Sequence, residues 1–159
     1  MDTIIYEVCT IMVMPAWLLL VFAPYWKWTD RLVHAIWIPG LLCIAYGFAM
    51  VLRPASPEGA GFGSLEGVTL LLGTPYGALI SWIHFLVFDL FVGAWIARDS
   101  LRLRINHLLV VPSLALAFVF GPLGLLLYFA TRAVTTKNVR LHEYGKHQDV
   151  EQTVPAESA

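Results

Sequence analysis

SWIHFLVFDLFVG, residues 81–93, decides how this chain is read. Trp, Phe, Leu, Val and Ile fill it, as in the middle of a membrane helix, yet it also holds His84 and Asp89. A carboxylate at the centre of a bilayer costs roughly 2.5–3.5 kcal/mol on an insertion scale. The stretch therefore predicts a membrane span, and ionisable residues inside a span mark a functional site by default. The plain alternative is a pair of residues that hydrogen-bond helices together. Five residues of helix turn the two side chains about 140° apart, so they do not stack on one face but can flank a groove.

The same helix is rich in rings. Phe88, Phe91 and Trp95 follow His84 along one face, while Trp82 and Phe85 share the face of Asp89. These five rings are either packing and lipid-facing residues or the wall of a slot for a long, flat, apolar ligand.

The rest of the chain agrees with a membrane protein. Of 159 residues, 58% are apolar and 13% charged, against about a quarter charged in a soluble domain. Mean hydropathy is +0.72. A net charge of −1 with no basic stripe gives no reason to expect a nucleic-acid partner. Cys9 and Cys43 both fall in apolar runs, where they read as packing residues rather than a disulfide. No Lys or Arg precedes the first apolar run and no A-x-A-like site follows it, so no cleaved signal is expected.

Four apolar runs, at 8–26, 32–52, 76–97 and 108–130, are long enough for a hydrocarbon core of about 30 Å. YWKWTDR (25–31), the Pro/Gly-rich RPASPEGAGFGS (53–64) and the basic RDSLRLRINH (98–107) separate them. SLEGVTLLLG (64–73) is too short to span. With Ser64 as N-cap and Gly73 as stop, it predicts an interfacial or re-entrant helix. The predicted fold is all-α: an integral membrane four-helix bundle over residues 1–132, with that short helix between spans two and three and a polar, disordered tail over 133–159. With four spans, Lys and Arg divide five to five between the two sides, so charge does not orient the bundle. Pro15, Pro39, Pro112 and Pro122 lie inside spans, where they kink helices for packing or open a cavity.

Three more titratable residues lie near the membrane boundary. Asp99, between Arg98 and Arg102, reads as a surface ion pair; His107 as a cap or anchor of the fourth span; Glu66 as an acid that suits a helix N-terminus. His34, His84 and His107 lack the spacing of a metal site, and HEYGKH (142–147) holds its two His one residue too far apart for HExxH. Neither a metal nor a cofactor is expected.

GSLEGVTLL (63–71), SWIHFLVFDLFVGAWIARDS (81–100), HLLVVPSLALAFVFGPLGLLLYF (107–129) and PAWLLLVFAPYWKWT (15–29) resemble the abscisic-acid-deficient-four-like family, whose plant members are associated with neoxanthin synthesis. The resemblance covers roughly residues 10–132. It implies a small four-helix membrane protein of xanthophyll metabolism, a carotenoid isomerase that opens an epoxide of violaxanthin and forms an allene without net redox change. Such a reaction needs an acid at the epoxide oxygen and a base at the polyene. On that chemistry Asp89 and His84 are the expected acid/base pair, with Asp99, His107 and Glu66 behind them, and a bound carotenoid fits the aromatic slot. The alternatives are a non-enzymatic subunit or pigment-binding protein of a photosynthetic or terpenoid-pathway complex, and a small transporter with Asp89 as its proton site. Expected partners are the bilayer, a carotenoid or other long apolar ligand, and a second copy or larger membrane complex. The absence of a Ser- and Arg-rich transit peptide points to a bacterial inner or intracytoplasmic membrane, or to a plastid membrane for a mature plant form.

Overall fold

The computed structural model describes residues 2–137 together with Val139 and Leu141. Among the described residues all regular structure is helical: α1 (Asp2–Phe22), α2 (Lys27–Leu32), α3 (Trp37–Leu52), α4 (Leu65–Leu72), α5 (Pro75–Arg102), α6 (His107–Val119) and α7 (Gly121–Thr136). Among these residues three stretches are long and apolar enough to cross a membrane: α1, Lys27–Leu52 and α5.

α5 is the axis of the molecule. The Thr74 hydroxyl accepts from the Gly77 N–H at 2.9 Å and caps its start, Pro75 fits its first position, and 28 residues give a rod of about 42 Å. α1 lies parallel to it. Near one end Tyr6 and Thr10 meet Trp82; further along, Trp17 packs on Gly93 so closely that a β-carbon there would stand 2.6 Å from the indole. α3 runs antiparallel on the other side, with Tyr46 against His84 near its C-terminal end. The second span is interrupted, because α2 and α3 are separate helices joined by a bend at 33–36. The fully buried Thr29 donates to the Ala23 carbonyl at 2.6 Å and ties α2 to the end of α1.

The short helix expected at 64–73 is present as α4, with Ser64 accepting from the Gly67 N–H at 3.0 Å and Gly73 closing the end. The expected fourth span is different. Residues 108–130 do not form one rod but two helices, α6 and α7, folded back on each other. Pro122 has no N–H to give the Phe118 carbonyl, and Phe120 leaves helical geometry at φ −137°, ψ 72°. Small residues then let the two helices close up: a β-carbon on Gly124 would overlap the Ala117 nitrogen and Cα. The Phe120 carbonyl accepts from Leu123 and Gly124 N–H at 2.9 and 3.1 Å, so the break keeps its own hydrogen bonds. At 13 residues, or about 20 Å, α6 reaches only part of the way across a core of about 30 Å.

α7 then runs parallel to α5. Gly121 lies against Asp89, Tyr128 and Phe129 against Trp95, and Arg132 against Asp99. The helix therefore ends at the same end of the bundle as α5. It continues to Thr136, past the expected domain boundary at 132. The remainder of the expected tail, 138, 140 and 142–159, lies outside the described residues, as does HEYGKH.

Two glycines test the fold-back. Gly124→Ala is expected to destabilise the protein by about 1–3 kcal/mol through overpacking. Gly47→Ala, where an added methyl meets nothing within 4 Å, should gain about 0.5–1 kcal/mol of helix propensity. Thermal unfolding of the detergent-solubilised variants checks both, and equal behaviour of the two would contradict the tight α6–α7 contact.

Candidate functional site

Asp89 stands at the midpoint of α5 and is half-buried. It opens onto a cavity of about 500 Å³ between α1, α5 and the α6–α7 break. The walls are apolar: Met14 and Trp17 from α1, Trp82 and Phe85 from α5, Phe118 and Phe120 at the break. Among the described lining residues Asp89 alone is ionisable. The rings are held in place, since Trp82 donates its indole N–H to the Thr10 hydroxyl at 3.0 Å and Trp17 meets Phe118 edge-on at 5.3 Å. The Asp89 carboxylate touches the first residue of α7, where a β-carbon on Gly121 would overlap it. A helix start carries partial positive charge from its free N–H groups, so the carboxylate has an electrostatic partner that is not a cation.

His84 faces elsewhere. It is exposed on the α3 side, 4.5 Å from Phe88 and 6.1 Å from Tyr46 between ring centres. It lines a second cavity of about 340 Å³, and Phe85 is the ring common to both cavities. The structure thus does not bring His84 and Asp89 into one pocket. Of the five rings marked in the sequence, Trp82 and Phe85 line the Asp89 cavity. Phe88 and Phe91 point outward, and Trp95 packs on Tyr128 and Phe129.

Asp99, His107 and Glu66 lie away from this cavity. Asp99 is not a surface pair but is 5% exposed. One oxygen accepts from the Tyr128 hydroxyl at 2.7 Å and from Arg132 Nε at 2.9 Å; the other accepts from Arg102 Nη2 at 2.6 Å. Arg132, counted with the tail in the sequence, is 3% exposed. Arg98 is exposed instead. His107 anchors helix to helix: its Nε2–H donates to the Val21 carbonyl at 2.8 Å, at the open end of α1. That contact fixes the tautomer and leaves Nδ1 buried and unpaired. Glu66 is exposed in the first turn of α4. Among the described residues no three His, Cys, Asp or Glu side chains cluster as a metal site.

Sequence reading missed Phe118, Phe120 and Gly121 as site residues. Their signal was the Gly121-Pro122 pair, one of the kinks that open a cavity.

A family model described as ABA DEFICIENT 4-like matches residues 4–128, and the chain belongs to that family. The resemblance carried by the sequence motifs is thereby borne out. The chain is 25% identical over 138 residues to the protein ABA DEFICIENT 4, chloroplastic, of Arabidopsis thaliana, an overlap of 82% of this chain and 61% of that protein. The chain thus spans about three-fifths of the length of the curated relative it matches. No solved structure matches it.

Asp99 and Glu66 should respond very differently to removal. Asp99→Ala strands buried donors and is expected to cost about 3–5 kcal/mol. Glu66→Ala, at an exposed site, should stay within about 0.5 kcal/mol. Unfolding midpoints in one detergent compare the two, and a silent Asp99→Ala would rule out the buried strut.

Proposed function

We propose that this member of the ABA DEFICIENT 4-like family isomerises a carotenoid epoxide drawn from the bilayer into the Asp89 cavity. The observation that carries the reading is a lone half-buried carboxylate at the midpoint of a spanning helix, facing a ring-lined cavity. The carotenoid link comes from the family resemblance. The apolar walls suit a polyene, and few polar groups fixing one reactive point is the usual make-up of a small-molecule site.

Because His84 lines another cavity, one carboxyl group serves both steps. Asp89 gives its proton to the epoxide oxygen as the C–O bond breaks, and the oxygen keeps that bond's electron pair and becomes a hydroxyl. The carboxylate so formed takes a proton from the adjacent polyene carbon, and the C–H pair becomes the new double bond of the allene. Atoms, electrons and protons balance, and Asp89 ends as it began. The start of α7 faces the carboxylate while it is charged. Without Asp89 the pocket would still bind the pigment, which is the behaviour of a pigment-binding protein.

Pigment chromatography of a host that makes epoxy-carotenoids, with and without this chain, is the test. A new isomer is expected with the wild type, reduced about 10²–10⁴-fold in Asp89→Asn, the usual worth of acid/base catalysis. Gly121→Ala, which pushes on the Asp89 carboxylate, should also lower turnover, while His84→Phe should leave it in place. An unchanged product in Asp89→Asn would remove the carboxylate from the chemistry. A pigment that co-purifies without conversion would make the chain a binding protein.

A further inference from the structure

The second cavity has its own chemistry. It lies at the end of the bundle where α3 stops and α5 starts, between Met50, Arg53, Tyr76, Ile80, His84 and Phe85. Its apolar part runs inward along α3 and α5, and Arg53 stands at its outer end, one residue past the last of α3. Among the described residues Arg53, Tyr76 and His84 have no hydrogen-bond or ion-pair partner. Glu58 and Glu66 lie in the same connection, yet neither forms an ion pair with Arg53.

The pocket is built rather than left over. The connection from Arg53 to Thr74 is folded tightly under itself: the Gly61 N–H donates to the Gly67 carbonyl at 3.1 Å, and a β-carbon on Gly67 would stand 2.8 Å from the Gly61 oxygen. A β-carbon on Gly77 would overlap the Leu71 carbonyl, which seats α4 on the start of α5. The polar groups are thus held at the mouth of an apolar cleft of about 340 Å³.

We propose that this cleft binds an anionic lipid, its acyl chain between α3 and α5 and its negatively charged headgroup on Arg53, with the Tyr76 hydroxyl as second donor. Arg53 is, among the described residues, the one Lys or Arg at this end of the bundle. Glu58 and Glu66 belong to the same connection but do not line the cleft, so a headgroup meets Arg53 with no carboxylate in the wall. This site is separate from the Asp89 cavity, and its test needs no pigment.

The full chain is reconstituted in nanodiscs of equal parts phosphatidylglycerol and phosphatidylcholine, then extracted in mild detergent, and the retained lipid is measured by native mass spectrometry. Phosphatidylglycerol is expected to be retained preferentially. Arg53→Gln should lower that preference about tenfold, the equivalent of one charge-assisted contact, and Tyr76→Phe about two- to threefold. Arg53→Lys should keep most of it, and Arg98→Gln, an exposed cation at the opposite end, should leave it intact. The proposal is overturned by an Arg53→Gln protein that retains the lipid as the wild type does. Equal loss in Arg98→Gln would also overturn it, since that marks a diffuse field. So would displacement by inorganic phosphate, which marks a bare anion site with no use for the acyl chain.

Discussion

A helix breaks inside a bilayer only where protein covers the backbone groups that the break sets free. That constraint organises this molecule. α6 and α7 part at Phe120, at the depth of the midpoint of α5, where the Phe120 carbonyl keeps its donors and buried Gly121 lies against Asp89. One carboxylate on α5 meets each end of α7: Asp89 at Gly121, and Asp99 at Tyr128 and Arg132. The two acids stand ten residues apart, about 15 Å along the helix, which matches the length of α7 they bracket. Between them Gly124 lets α7 close on Ala117. The pair is pinned by charge at one end and by a helix start at the other, with interlocking backbone in the middle.

The same arrangement explains what the sequence disclosed and what it concealed. Hydropathy gave the long helices, because burial in lipid is a property of each segment alone. Ser64 and Gly73 marked α4 because caps act within a turn. The fold-back was not legible, since 108–130 is apolar throughout and a hydropathy window counts residues without asking whether they continue in one direction. Only Gly121-Pro122 hinted at it. Arg132 was read as tail charge because an arginine after an apolar run normally ends it. Its burial depends on Asp99, 33 residues earlier in the chain, and on Tyr128 one turn away.

The candidate site was half legible for a related reason. Helical spacing correctly put Trp82 and Phe85 on the face of Asp89, and correctly turned His84 away from it. It did not show that turning away meant a different cavity, because neighbouring helices decide that. α1 and the break enclose the Asp89 face; α3 and the 53–74 connection enclose the other. One helix therefore separates two compartments, and Phe85 is the partition. The ring residues beyond it, Phe88 and Phe91, face outward and belong to neither wall.

The fold-back also changes how charge divides between the two ends of the bundle. A chain that turns back at Phe120 does not cross a fourth time, so the end of α7 shares a side with the α1–α3 and α5–α6 connections. Among the described residues, Lys27, Arg31, Arg98, Arg102, Arg104, Arg132 and Lys137 then gather at that end, and Arg53 is left at the other with Asp2, Glu7, Glu58 and Glu66. The even split computed for four crossings becomes a steep gradient. The Asp99 network lies at the basic end, and the mouth of the Arg53 cleft at the other. A proline that cuts one helix short thereby gathers the basic connections of the whole molecule at one end.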